Sequence, residues 1–363
     1  VSLHLDEVSL SRWRNIPSKD VELAGGITIF LGRNACGKTN TIEALQLLTS
    51  GVSFRHPSPA ELVQDGEGRT RASASLVGDG RHIDIEVDVD VNRRTFLRNG
   101  KPVRPSSLMG TMMSVLFNPD DLALVKTGAS RRRDEIDDFG SQVNKGYSQV
   151  RGSYRRAIEQ RNRLLKEEVV DLALLDAWDE SIAIGGATLL YHRLRLFSRL
   201  SEGMAKVHSQ IVPSEHVECT YSSTLSDNME ALSREELCEL LRRALRVGRE
   251  EDIRRRQTTV GPHRDDIAFL IDGRDARTYG SQGQQRSIVL AWKMAEVEFA
   301  RQVTGQTPLL LLDDVMSELD STRRVAIVDF LSTDVQTVIT TTNLGYFSDG
   351  MVDASKVVSF DGR

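Results

Sequence analysis

Residues 32–39 read Gly-Arg-Asn-Ala-Cys-Gly-Lys-Thr, which puts two glycines, a lysine and a hydroxyl at the spacing of a phosphate-binding loop. Glycine lets the chain curl so that successive N–H groups point inward, and a helix starting beyond the loop adds its positive N-terminal end. Lys38 would then set a point charge on the β- and γ-phosphates, and the Thr39 hydroxyl would ligate Mg2+. Gly32, Arg33, Asn34, Ala35, Cys36, Gly37 and Asn40 complete the expected phosphate contacts. Taken alone, the loop says that the chain binds a nucleoside triphosphate.

Two further clusters suit the same chemistry. Residues 309–314 read Leu-Leu-Leu-Leu-Asp-Asp. Four leucines require a strand buried on both faces, and two adjacent carboxylates at its end need partners there. A metal ion answers for Asp313. Asp314 would aim at the attacking water as a general base, with Lys38 as its catalytic companion. A carboxylate is a weak base unless its site raises its basicity, so slow hydrolysis is expected. Residues 279–286 read Tyr-Gly-Ser-Gln-Gly-Gln-Gln-Arg. Ser281 reads as a helix N-cap, and with Gly283 and Gln284 it leaves backbone donors open to an anion.

The elements that must position these groups are legible nearby. Residues 2–10 and 26–31 read as strands, the second running into the phosphate loop, and residues 39–48 as the helix after it. Residues 82–91 alternate apolar and acidic, a half-buried strand. Asn99-Gly100 is a hairpin turn signal. From residue 131 to about 211 the chain is helical, rich in Arg, Glu, Leu and Ala. A strand at 217–222 and a helix at 234–256 follow, then a helix at 281–304 and the leucine strand. The reading is an α/β unit split by a helical insertion: residues 1–125, an arm at 126–260, and residues 261–363.

The 363 residues are 39% hydrophobic and 27% charged, with a net charge of -5. That suits a globular protein, and any nucleic-acid contact must come from local patches. No apolar run spans a membrane and no leader pattern opens the sequence, so a cytoplasmic protein is expected. Cys36, Cys219 and Cys238 are too few and scattered for a disulfide framework or a zinc site.

Phosphate loop, Ser281 segment and acidic strand together resemble the layout of the ABC-type ATPases, and residues 317–320, Ser-Glu-Leu-Asp, resemble their D-loop. Within that class the chain resembles the RecF family of bacterial recombination proteins along nearly its whole length. The resemblance is carried by residues 32–40 with Glu43-Ala44, Ser53-Phe54-Arg55, Asn118-Pro119-Asp120-Asp121-Leu122, Arg131-Arg132-Arg133, residues 160–166 (Gln-Arg-Asn-Arg-Leu-Leu-Lys), residues 261–266 (Gly-Pro-His-Arg-Asp-Asp), residues 281–286, residues 311–320 and Thr340-Thr341-Thr342. Ala35 stands where most ABC loops have glycine, Asp314 where they have glutamate, and residues 340–342 where transporters have a switch histidine. Asn118 and Asp120 fall where the Q-loop would lie. The short insertion, without a Cys-x-x-Cys hook, separates the chain from Rad50 and SMC proteins.

The resemblance implies an ABC-type ATPase head, a mixed β-sheet with flanking helices, interrupted by a short helical arm. It implies ATP and Mg2+ as cofactors, and a head-to-tail homodimer in which the Ser281 segment of one copy covers the nucleotide of the other. It also implies DNA binding near single-strand/double-strand junctions or gaps, and work with RecR and RecO in loading RecA. Candidate DNA contacts are Arg131, Arg132 and Arg133; Arg151, Arg155 and Arg156; Arg242, Arg243 and Arg246; and Arg254, Arg255 and Arg256. Lys and Arg nearly balance Asp and Glu over residues 126–260, so these clusters read equally as solvated helix faces or an ion-pair network. Arg161 and Arg163 read equally as packing of the arm. Arg14 and Asn15 either reach the nucleotide or form a surface loop. The alternative reading is a cytosolic ABC-type ATPase, or a nucleotide-gated scaffold, that does not act on DNA.

Overall fold

The computed structural model describes residues 3–108, 111–331 and 335–360. The chain forms two compact units, residues 1–121 with 293–363, and residues 122–292.

The first unit holds two sheets. One is antiparallel, built from β1 (His4–Trp13), β2 (Ile16–Glu22), β4 (Arg69–Gly78), β5 (Arg81–Asp90), β6 (Arg94–Arg98) and β7 (Lys101–Val103) in the order β2-β1-β4-β5-β6-β7. The other is parallel, with β3 (Ile27–Leu31), β8 (Ser114–Phe117), β12 (Leu309–Asp313), β13 (Thr337–Thr341) and β14 (Lys356–Ser359) in the order β14-β3-β13-β12-β8. The period-2 pattern of β5 works as expected: Ile85, Val87 and Val89 are buried, while Val91 lies past the strand end and is exposed. Leu5, Val8 and Leu10 of β1 and Ala72, Ala74 and Leu76 of β4 share that core with Ile42, Leu45 and Leu48 of the helix Lys38–Ser50. The strands β2 and β4 carry few large apolar residues, their inward positions in β4 being filled mainly by Thr70, Ala72 and Ala74, which left no strong apolar alternation to find. Gln336 ties the sheets together: its amide accepts from the Leu5 N–H at 2.8 Å and donates to the Leu5 and Ala24 carbonyls.

All five residues of β12 are buried. Each buried leucine stabilises the fold by about 1.5–3 kcal/mol. The leucines thereby fix β12 in the sheet and Asp313 at its carboxyl end.

The second unit packs the helices Ala129–Val143, Lys145–Leu164, Leu172–Ile211 and Arg234–Val247 around Ile182, Ala183, Leu190, Leu237 and Leu241. Gly186 admits a close helix crossing, since a Cβ there would meet the Tyr154 ring at 2.9 Å. The expected helix over 234–256 is two helices, because Gly248 ends the first and a second runs Arg249–Arg255. Beside the helices lies a three-stranded antiparallel sheet of β9 (Val217–Ser222), β10 (Asp266–Ile271) and β11 (Arg274–Asp275). The pairing of β10 with β9 draws residues 261–292, expected in the head, into this second unit.

Candidate nucleotide site

The phosphate loop leaves β3 and enters the helix Lys38–Ser50, the context the sequence demanded. Its curl needs two left-handed residues, Ala35 at φ +65° and Gly37 at φ +105°. Gly37 has no substitute, since a Cβ there would meet Ile16 Cγ1 at 2.9 Å. Ala35 tolerates its conformation at a cost of about 1–2 kcal/mol. Lys38 is buried, and its ammonium donates to the Gly32 and Arg33 carbonyls at 2.5 and 2.7 Å. It is thus held across the mouth of the loop.

A polar scaffold behind the loop sets its shape. Asn15 Nδ2 donates to the Ala35 carbonyl at 2.8 Å, Asn40 Nδ2 to Asn15 Oδ1 at 2.6 Å, and Arg55 to Asn40 Oδ1 at 2.7 Å. Buried Glu43 accepts two bonds from Arg14, at 2.5 and 2.9 Å, and one from Ser53 at 2.6 Å. Of the two readings open for Arg14 and Asn15, a loose surface loop does not fit: Arg14 braces Glu43, and Asn15 touches the loop backbone. Beside the loop lies a cleft of about 860 Å³ between Pro17, Lys19, Asn34, Cys36 and Phe360. That falls within the usual range for small-molecule sites.

The acidic end of β12 meets the loop through β13. In the sheet, Thr340 pairs with Phe30 of β3 on one side and Asp313 on the other. Three carboxyl ends therefore line up, the usual place for a ligand in a parallel sheet. Thr39 Oγ1 donates to Asp313 Oδ1 at 3.0 Å, and Thr340 Oγ1 donates to the same oxygen at 2.7 Å. Burial pushes the Asp313 carboxyl above its ordinary value, opposed by those two hydroxyls and the Arg55 charge. Asp314 sits at φ +54°, its N–H donating to Thr340 Oγ1 at 2.9 Å and its carbonyl accepting from Ser317 Oγ at 2.9 Å. A left-handed aspartate held by such bonds is stored strain of the kind that clusters at functional sites.

The donor set fits Mg2+. A hard cation takes one or two carboxylates plus phosphate oxygens, and a buried carboxylate with an adjacent hydroxyl is what Asp313 and Thr39 provide. Asn118, at the end of β8 beside β12, is buried, and its Oδ1 has no hydrogen-bond partner among the described residues. Sequence reasoning placed Asn118 in this neighbourhood but missed Thr340 as the joint between the two aspartates. Its only signal was a threonine run after an apolar strand.

In the second unit, Ser281 and Gln284 cap each other. The Ser281 N–H donates to Gln284 Oε1 at 2.8 Å and the Gln284 N–H to Ser281 Oγ at 3.2 Å. Gln284 Nε2 donates to Glu215 Oε1 at 3.0 Å, a brace from outside the motif. Ser281 is exposed and opens the helix Gln282–Thr304, with Gly283 in its first turn.

The RecF/RecN/SMC N terminal domain model matches residues 4–361. A DNA replication and repair protein RecF from Heliobacterium modesticaldum is 38% identical over 355 residues, covering 95% of this chain and 94% of that protein. The chain belongs to the RecF family. Two solved structures, of the recombination mediator protein RecF-ATPrS and RecF-ATP in the RecFOR pathway, superpose with TM-scores of 0.89 and 0.88. They are 33% and 34% identical, and each match covers 96% of this chain and over nine-tenths of the other. The RecF-family fold is thus a mixed α/β, SMC-like ABC-type head with its helical insertion. No described helix is long and apolar enough to cross a membrane.

The structure also sorts the arginines of this RecF-family chain. Arg132 is buried and bidentate on Asp266 at 2.8 and 2.9 Å, and Arg133 donates to the Asp265 carbonyl. Arg131 pairs with Glu135. Arg151 meets Asp134, Asp137 and Asp138. Arg242 is bidentate on Glu180 at 2.7 Å, and Arg249 bridges Asp176 and Asp179. Arg161, fully buried, joins Asp179 and Asp252 at 2.6 Å each. Of the readings left open for Arg131, Arg132, Arg151, Arg161 and Arg242, the structure favours the internal ion-pair network.

Proposed function

We propose that this chain is a recombination mediator that binds ATP with Mg2+, dimerises on it, and clamps DNA near single-strand/double-strand junctions or gaps. Working with RecR and RecO, it would promote RecA loading, and slow hydrolysis would release it. The observation that carries the reading is the shared oxygen Asp313 Oδ1, which takes hydroxyl bonds from both Thr39 of the phosphate loop and Thr340 of β13. It joins phosphate loop and acidic strand into one site. The RecF-ATP likeness supports the same nucleotide.

On ATP binding, Lys38 exchanges two carbonyl contacts for charge-assisted bonds to the β- and γ-phosphates, which are stronger. Thr39 and Asp313 would hold Mg2+, which when bound would supply positive charge against the phosphate oxygens. Asp314 orients the attacking water, its backbone fixed by Thr340 and Ser317. Ser281, Gly283 and Gln284 offer their helix start to the γ-phosphate on a second copy, so loss of that phosphate removes the bridging anion. The expected dimer has two-fold symmetry, and it would act in the cytoplasm, on the nucleoid.

Analytical ultracentrifugation with and without ATP and a gapped duplex tests the reading. The expected result is a dimer that needs ATP and retains the DNA. A Lys38→Ala protein that dimerised with ATP would overturn the clamp, and a dimer that ignored DNA would leave the nucleotide-gated scaffold instead.

A further inference from the structure

We propose that the loop at residues 256–264, with Arg163 beside it, is a surface that contacts the phosphate backbone of DNA. The inference rests on the DNA-binding reading above and gives it a location.

Arg131, Arg132, Arg151 and Arg242 are each neutralised by a carboxylate of the same unit. The loop differs. Residues 256–264 contain two arginines and no carboxylate. Arg256 is exposed and has no carboxylate partner among the described residues. It caps the helix Arg249–Arg255 at φ +54°, a left-handed position that ends the helix. Arg264 bonds neutral acceptors, the Thr258 carbonyl at 2.8 Å and Gln257 Oε1 at 3.0 Å, so its charge persists. Arg163 is exposed and donates to Gln160 Oε1, also neutral. Arg254 and Arg255 share the single carboxylate Glu251, which leaves them one charge in excess.

The loop is also built to hold still. Asn162 Oδ1 accepts from both the Thr258 N–H, at 2.7 Å, and its hydroxyl, at 2.8 Å. Asp252 Oδ1 accepts from the Thr259 N–H, at 2.8 Å, and its hydroxyl, at 2.6 Å. Buried Arg161 donates to Thr258 Oγ1 at 3.0 Å, and the Gly261 N–H to Thr224 Oγ1 at 2.9 Å. Asn162, which holds Thr258, adjoins Arg163 in sequence, and Arg256 stands two residues before Thr258. His263 adds no charge near neutrality, because burial pushes it down to about 4.

Exposed guanidinium groups without carboxylate partners suit phosphate oxygens, which they meet with planar, bidentate geometry. A loop ordered in advance loses little conformational freedom on binding. Backbone contacts position a protein on DNA without reading bases, so this surface would bind any sequence.

The test is fluorescence anisotropy of a labelled gapped duplex with the full-length chain, from about 50 to 200 mM salt. Arg163→Ala with Arg256→Asn removes both charges, and asparagine tolerates the left-handed position. The slope of log affinity against log salt should become shallower by about 2, near 0.9 for each phosphate that is no longer neutralised. Lysine at both positions should restore it. An unchanged slope with intact wild-type binding would overturn the surface alone. A wild-type chain that bound no DNA would overturn the function reading as well. A thermal melt of each variant, matching the wild type, separates either result from misfolding.

Discussion

The Thr340 hydroxyl lies between two aspartates, donating to Asp313 Oδ1 at 2.7 Å and accepting from the Asp314 N–H at 2.9 Å. One oxygen thus aims the Asp313 carboxylate and holds the backbone of the left-handed residue beside it. Thr340→Val keeps the shape and removes both bonds. Steady-state ATPase should fall about 10–100-fold, as for other residues that orient metal ligands, while ATP affinity changes little. Thr340→Ser should recover most of the rate. An equal loss in the valine and serine variants would point to packing.

Asp314→Asn is expected to lower hydrolysis by about 10²–10⁴-fold if Asp314 is the base. Asparagine accepts left-handed φ, so the turn at Asp314 should survive. Sedimentation should then show a dimer that persists on ATP. Unchanged phosphate release would remove Asp314 from the mechanism.

Gly37 and Ala35 should respond differently to exchange. Gly37→Ala forces a Cβ against Ile16 at φ +105° and should abolish nucleotide binding. Ala35→Gly relieves strain at φ +65° but loosens the unfolded chain. The two effects nearly cancel, so stability should stay within about 1 kcal/mol. Calorimetric ATP titration and thermal unfolding of the two variants would check the contrast.

Arg161→Met leaves Asp252 and Asp179 buried beside an apolar side chain. Removing one partner of a buried ion pair costs about 3–5 kcal/mol. Urea unfolding should show that loss as a lower midpoint at an unchanged slope. A variant as stable as the parent would mean that both carboxylates find other donors.

His263 makes stability depend on pH. Its Nδ1 accepts from the Tyr154 hydroxyl at 2.8 Å, and its Nε2 faces the Thr258 carbonyl at 3.2 Å, an arrangement for the neutral ring. Burial first, then the charges of Arg264, Arg133 and Arg193, lower it from 6.5 to about 4. Between those values the unfolded chain binds the proton more readily than the folded one. The His263 contribution is therefore complete above about pH 6.5 and is lost as pH falls toward 4, by up to about 3 kcal/mol. His263→Gln should flatten the urea midpoint across that window relative to the parent.

Local sequence was enough for the phosphate loop, the acidic strand end and the helix start at Ser281. Each is a contiguous run whose residue types force a local conformation: glycine for the curl, four leucines for a doubly covered strand, serine for a cap. The strand of residues 82–91 and the helical insertion were legible for the same reason, since their periodicity is local. The assembled fold set what depends on distant partners. Thr340 became the joint of the site only because β13 lies between β3 and β12 in the sheet. Glu43 gathered Arg14 and Arg55 across turns of chain that no spacing links. Arg161 and Arg163 stand two residues apart in one helix, yet one is buried between carboxylates and the other faces water. Helical periodicity can place two arginines on different faces, but whether a charge is neutralised is set by which distant carboxylate the fold brings within reach.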